Sequence, residues 1–226
     1  MLNITPIAHI KTDFKEKFGI PRQSGRVKSA LGKIVFLPEY RNPEALRRLE
    51  EFNYLWLIFD FSESHKPNWS ATVRPPRLGG NERVGVFATR SPYRPNPLGL
   101  SSVKLERIED TSEGKVLIVS GVDLLDGTPI LDIKPYIPSY DCHTDAIGGF
   151  SENFTDYKLK VEIAPDLLQI IPKNKQAVLL ECLADDPRPA YQNDERLYGM
   201  TFGEFNVSFT VKDMTLKVTE IKKYEN

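Results

Sequence analysis

Cysteine is nearly absent. The chain has two, Cys142 and Cys182, among 226 residues, and they form no CxxC pair. The three histidines, His9, His65 and His143, are scattered, so no metal-ligand spacing exists and no metal is expected. Two unpatterned cysteines suit a reducing compartment, and the cytoplasm is the expected location. A thiolate–imidazole pair from Cys142 and His143 is not expected, because adjacent residues usually point apart and no third orienting group is evident. Long apolar runs are missing as well. The most apolar stretch, Tyr54 to Phe61, is far too short to span a bilayer, and the first residues show no basic region followed by an apolar one. Neither a membrane segment nor a signal peptide is expected. GxxxxGK[ST] is absent, and so is GxGxxG between a strand and a helix, which excludes a P-loop or a doubly wound sheet as the holder of any nucleotide-like cofactor. No charge of one sign dominates: 30 basic residues face 31 acidic ones. That balance argues against a bulk polyanion binder but leaves room for a local basic face.

What is present reads as strands. Leu2 to Ile10 alternates, and Lys33 to Pro38 is rich in Ile, Val and Phe. Tyr54 to Phe61 is a continuous apolar run of strand length, expected at the centre of the core. Ser101 to Glu109, Lys115 to Val122 and Thr128 to Ile133 follow, with Asp126-Gly127 as a strong turn signal between the last two. One short amphipathic helix is expected after Asn42-Pro43-Glu44, with Leu46, Leu49 and Phe52 at helical spacing. No long helical pattern separates the strands, which excludes alternating βαβ units. The expected fold is mainly β: a barrel over residues 1–140, then a small α+β unit over 141–226. Within the second unit, Pro138 to Asn153 reads as a linker or long loop and Asn174 to Ala184 as a helix. Phe205 to Ile221 reads as two strands joined at Lys212-Asp213.

One segment stands apart. Arg74 to Leu100 holds five arginines (Arg74, Arg77, Arg83, Arg90, Arg94) against the single acid Glu82, with four glycines and five prolines. Gly79-Gly80 reads as a tight turn. In Arg90-Ser91-Pro92-Tyr93-Arg94-Pro95-Asn96-Pro97, the prolines push Arg94 and Asn96 toward extended backbone, so a stiff loop presents Arg90, Arg94 and Asn96. Arginine's planar fork fits carboxylate and phosphate. A single such arginine is most simply a surface residue paired with a nearby acid; the three residues together point to a site. Asp123 and Asp126 follow an apolar strand and could accept from a ribose hydroxyl or an amine; a turn accounts for Asp126 but says less about Asp123. Asp186-Pro187-Arg188-Pro189-Ala190-Tyr191 repeats the Pro-stiffened style after a helix; it reads equally as a helix stop or as a presented site. Ser62 and Glu63 lie just beyond a central strand, where ligand contacts often sit, although a polar loop also explains them.

Five phrases in order, PRQSG (Pro21 to Gly25), TVRPPRLGGN (Thr72 to Asn81), VGVFATRSPYRPNPLGLS (Val84 to Ser101), DLLDGTPILDIKPY (Asp123 to Tyr136) and DPRPAY (Asp186 to Tyr191), resemble the TsaA-like, TrmO-type family of tRNA methyltransferases. The resemblance implies a non-Rossmann β-barrel methyltransferase using S-adenosyl-L-methionine near a homodimer interface. It implies N6-methylation of threonylcarbamoyl-adenosine beside the anticodon of threonine tRNA, so the anticodon loop is the expected partner. Carried over residue by residue, the cofactor contacts are Pro21, Arg22, Gln23, Ser62, Glu63, Arg90, Leu100, Asp123, Leu124, Leu125 and Asp126. Arg94 and Arg188 are assigned to the tRNA. Asp186 and Tyr191 are candidate bases, and Asn96 is placed with them among the catalytic residues. Two other readings remain: a non-catalytic RNA- or nucleotide-binding barrel, and a hydrolase using Asp123 with Asp126.

Overall fold

The computed structural model describes residues 3–154, 157–188 and 196–224. In chain order the strands are β1 (Ala8–Thr12), β2 (Leu31–Phe36), β3 (Tyr54–Asp60), β4 (Thr72–Val73), β5 (Val84–Gly85), β6 (Leu98–Thr111), β7 (Gly114–Ser120), β8 (Pro129–Pro135), β9 (Lys160–Glu162), β10 (Tyr198–Phe202), β11 (Phe205–Lys212) and β12 (Thr215–Lys223). The α-helices are α1 (Pro138–Asp141), α2 (Pro165–Ile170) and α3 (Lys173–Ala184).

Six strands close into a barrel in the order β1-β2-β7-β6-β3-β8, and β8 returns to β1 through the pairs Ala8↔Ile130 and His9↔Pro129. Closure leaves this sheet without an edge. The apolar run of β3 is not buried on both faces. Leu55, Leu57 and Phe59 point inward and are buried, while Tyr54, Trp56 and Ile58 point out, following the two-residue period of a strand. Beyond the barrel, β10-β11-β12-β9 form a second sheet in which β9 runs parallel to β12 and the other pairs are antiparallel. The fold is thus mainly β, with a small α+β region at the C-terminal end.

The two parts share one continuous core. Barrel residues such as Ile10, Phe14 and Leu124 belong to the same buried cluster as Leu179, Met200 and Phe202. Polar links reinforce the join: Lys175 Nζ donates to Asp13 Oδ1 at 2.6 Å, and the Thr201 amide donates to Glu16 Oε1 at 2.7 Å.

Four local expectations are corrected. The segment after Asn42 is not one helix but two 3₁₀ turns, Pro43–Leu46 and Leu49–Glu51. Asn42 does cap the first, accepting from the Glu44 amide, but Arg48 is left-handed at φ 68° and interrupts the run. A helix that short gains little from its own hydrogen bonds, whereas Leu46, Leu49 and Phe52 still pack on the core. The turn at Asp126-Gly127 is not a hairpin, because β7 pairs with β2 and β6 while β8 pairs with β3 and β1. Residues 138–154 are not a plain linker: they contain α1 and a 3₁₀ turn at Gly149–Phe154. β10 was not among the expected strands; Tyr198, Met200 and Phe202 do alternate inward against Gly199 and Thr201, but over five residues only.

Candidate active site

At one end of the barrel the loops enclose an open cleft of about 1940 Å³. Its walls come from the stretch after β1, the segment from Ser64 to Pro76, the loop Phe87 to Pro97, the residues around Phe150, and Pro187. The lining carries seven cations, Lys17, Arg22, Arg26, Lys66, Arg74, Arg90 and Arg94, and among the described residues no aspartate or glutamate. In a chain of net charge −1, that segregation makes the cleft an anion site.

Two glycines and three hydrogen bonds show how its loops are built. Gly79 and Gly80 have φ of 73° and 70°, so this pair is a turn that side chains would strain. Arg94 is half-buried, and its Nη1 donates to the Thr89 carbonyl at 3.1 Å, folding the Pro-stiffened loop onto itself. Arg90 reaches across the cleft instead, and its Nη1 donates to Gln23 Oε1 at 2.7 Å. The Pro21–Gly25 loop is tied down by the Gly25 amide, which donates to the Gly121 carbonyl at 2.9 Å.

These contacts bring Pro21, Gln23 and Arg90 near Asp123. Ser101 Oγ donates to Asp123 Oδ1 at 2.7 Å. Burial pushes the Asp123 carboxyl up to about 6, although Ser101, the Ser24 backbone amide and the Arg90 charge each pull it back down. Above that pH the site holds an acceptor carboxylate that is already largely desolvated and within reach of the Arg90 charge. Asp126 is differently placed: its Oδ1 accepts from the Thr12 amide at 2.8 Å and its Oδ2 from Lys15 Nζ at 2.6 Å. Leu124 lies in the core, and the Leu125 carbonyl accepts from both the amide and the hydroxyl of Thr128. Leu100 is 55% exposed on the outer face of the barrel, opposite Ile58. Ser62 and Glu63 are exposed in a 3₁₀ turn after β3, outside the cleft lining, which takes up Ser64 and His65 instead.

The C-terminal part contributes a buried ionic cluster. Arg188 is 7% exposed, and its Nε and Nη2 donate to Asp186 Oδ1 and Oδ2 at 2.9 and 3.0 Å, a bidentate pair. Tyr157 Oη donates to Asp186 Oδ2 at 2.9 Å. Burial works to raise the Asp186 carboxyl, but Arg188 and Tyr157 outweigh it and hold it below the usual carboxylate range. So held, Asp186 is poorly disposed to take a proton, and it serves to fix the loop that it opens. Arg22 joins this cluster to the barrel, with Nη2 donating to the carbonyls of Asp186 and Arg188. Arg26 Nε pairs with Asp185 Oδ1 at 2.5 Å. Asn96 is exposed on the proline-rich loop, and Tyr191 lies outside the described residues.

Sequence reasoning missed Lys17, Lys66, Trp69, Phe87 and Ser101. Lys17, Lys66 and Trp69 belong to no repeated or charged phrase, while Phe87 lies within the Val84 to Ser101 phrase but was not singled out. Ser101 stood at the end of a noted phrase, at the strand position that faces Asp123.

Two family descriptions match the chain: the tRNA-methyltransferase O N-terminal domain over residues 9–142, and the TrmO C-terminal domain over residues 156–224. The chain belongs to the tRNA-methyltransferase O family. It is 41% identical over 221 residues to the tRNA (adenine(37)-N6)-methyltransferase of Escherichia coli K12, covering 94% of each chain. It is 42% identical over 214 residues to a Pseudomonas aeruginosa protein described as a putative S-adenosylmethionine-dependent methyltransferase, covering 91% of this chain and 90% of the other. A crystal structure of TrmO from the same species superposes with a TM-score of 0.80 at 33% identity, covering 99% of this chain and 98% of that one.

Proposed function

We propose that the protein transfers a methyl group from S-adenosyl-L-methionine to N6 of threonylcarbamoyl-adenosine at position 37, beside the anticodon of threonine tRNA. The observation that carries this reading is a cleft lined by seven cations and, among the described residues, by no acid, whose lining residue Arg90 reaches Gln23 and acts on the buried Asp123–Ser101 pair behind the lining. Its support comes also from membership of the family and from the relatives named for adenine-37 N6-methylation.

The donor set fits the cofactor. When bound, S-adenosyl-L-methionine supplies a methyl group activated on a sulfonium. Asp123, ionised above about pH 6, has an oxygen beyond the one engaged by Ser101 to accept from a ribose hydroxyl. Arg90 offers its fork to the carboxylate of the methionine moiety, and Gln23 holds that fork in place. Pro21 and the backbone of Ser24 form the wall beside them. Arg22 acts through the Asp186–Arg188 loop that it clamps, as a positioning residue.

On the acceptor side, Arg94 lines the same cleft, where the carboxylate of the hypermodified base needs a partner, and Asn96 is exposed on the same stiff proline loop, outside the lining. The Asp186–Arg188 pair is a positioning element, and the hydroxyl of Tyr191, outside the described residues, is assigned to the N6 proton. Holding acceptor and donor in line supplies much of the acceleration such a transfer needs. The protein works in the cytoplasm as a homodimer. The dimer assignment draws support from the exposed apolar side chains Leu98, Leu100 and Tyr54 on the outer face of β3 and β6, of which Leu100 is adjacent to Ser101.

The test is Arg90→Ala, with cofactor affinity measured by calorimetry and methyl transfer to tRNA measured separately. Cofactor affinity is expected to fall by about 10-fold or more, the scale of one charge-assisted contact. Unchanged cofactor affinity and unchanged transfer overturn the assignment of Arg90. A wild-type protein that binds RNA but no cofactor replaces the enzyme with a plain RNA-binding barrel.

A further inference from the structure

The cleft contains a pair of aromatic rings that neither the cofactor contacts nor the methyl acceptor uses. Trp69 is 54% exposed and Phe87 is 73% exposed. Their ring centroids lie 6.3 Å apart with an interplanar angle of 29°. That is near the wide end of aromatic contact, about 4.5–7 Å, so the rings are aligned without closing on each other.

The alignment is built by the backbone. β4 and β5 pair through Thr72↔Gly85 and Val73↔Val84, which places Trp69 just before one strand and Phe87 just after the other. The ladder is extended by the Val86 amide, which donates to the Ala71 carbonyl at 2.9 Å, and Val86 itself is buried. Ser70 Oγ donates to the Thr72 carbonyl at 2.8 Å, and Thr89 Oγ1 to the Val86 carbonyl at 2.9 Å. A two-stranded ladder this short has little stability of its own, yet it holds two large apolar faces toward water.

The surroundings decide the occupant. Trp69 and Phe87 line the same cleft as Lys66, Arg74, Arg90 and Arg94, with no acid among the described lining residues. Lys66 Nζ already lies 4.1 Å from the centroid of the Tyr93 ring. Exposed aromatic faces interleaved with cations match a single-stranded nucleic acid, whose bases stack while its phosphates pair. A purely apolar partner would leave the cations unmatched.

We propose that Trp69 and Phe87 form a stacking platform for an unpaired base flanking adenosine 37, so that a neighbouring nucleotide is gripped while the acceptor is turned into the cleft. This rests on the reading of the cleft as a tRNA site.

The test uses the full-length protein and an RNA hairpin of anticodon-loop sequence, beside the same hairpin with abasic sugars flanking adenosine 37. The Trp69→Ala/Phe87→Ala variant is expected to bind the intact hairpin roughly 10- to 100-fold more weakly, with cofactor affinity and thermal midpoint unchanged. Wild type is expected to lose the same factor on the abasic hairpin, and the double variant to lose no more. Trp69→Phe keeps a stacking face and is expected to retain affinity, but to lose the tryptophan quenching that wild type shows on adding RNA. With only two tryptophans in the chain, that signal is assignable. Full-strength hairpin binding by the double variant, beside normal methylation by wild type, overturns the platform alone. No hairpin binding by wild type overturns the tRNA reading and the platform with it.

Discussion

Asp123 is where binding and stability pull in opposite directions. Its carboxyl is pushed up to about 6 by burial, from the ordinary 3.8. Below about pH 4 it is neutral in both folded and unfolded chains. Between about 4 and 6 the unfolded chain releases its proton first, so stability falls as pH rises; above about 6 the full cost of the buried charge is present. Asp123→Asn removes that cost. The variant is expected to be about 1–2 kcal/mol more stable than wild type at pH 8 and no more stable at pH 4, read from thermal unfolding at the two pH values. Cofactor affinity is expected to move the other way. In wild type it tightens between pH 5 and 7 with a midpoint near 6, while in Asp123→Asn it is weak and flat. A flat wild-type profile removes Asp123 from the cofactor site. This residue was legible in the sequence because it stands at the head of a distinctive phrase after an apolar strand. Its neighbour Asp126 was equally legible and is placed differently, since only the fold shows Thr12 and Lys15 occupying its oxygens.

Among the elements, β6 connects the cleft to the barrel core. It begins at Leu98, and Gly99 pairs with Phe59 of β3. A Cβ on Gly99 meets the Phe59 ring at 2.1 Å, and that ring is buried and packed edge-on against Phe61 at 5.0 Å. Gly99→Ala is therefore expected to destabilise the protein by about 1–3 kcal/mol, the usual cost of overpacking, measured as a drop in the thermal midpoint. Adding Phe59→Leu is expected to restore part of the loss; failure of that rescue places the strain elsewhere. The strands were largely readable: inside–outside alternation in β11 is written in side-chain polarity, and β3 was marked by its apolar run, although which of its residues face in is not. The segment 43–51 was not. Its apolar spacing fits a helix, and nothing in the local residues announces the left-handed Arg48 that breaks it. The turn at Asp213 and Met214, both at positive φ, was placed within a residue by its polar composition. Of the β4–β5 ladder only the β5 side was legible, as the short strand-like run Val84 to Ala88; β4 and the pairing that brings Trp69 to Phe87 were not, because two-residue strands carry too short a pattern to read.

At the scale of the molecule, charge and topology act together. Thirty basic and thirty-one acidic residues nearly cancel, yet the fold sorts seven cations into one cleft, an arrangement no total reveals. The five phrases that mark the family lie far apart in sequence. The barrel gathers four of them at one end, and Arg22 ties the fifth, at Asp186 and Arg188, to the Pro21–Gly25 loop. The central claim is that this gathered site methylates one hypermodified adenosine. It is tested most directly by incubating the protein with S-adenosyl-L-methionine labelled on its methyl group and tRNA either carrying or lacking threonylcarbamoyl-adenosine, then digesting the RNA and identifying the labelled nucleoside. The expected result is label on N6 of threonylcarbamoyl-adenosine, with little in tRNA that lacks it. Equal labelling of both tRNAs, or label in any other nucleoside, contradicts the account.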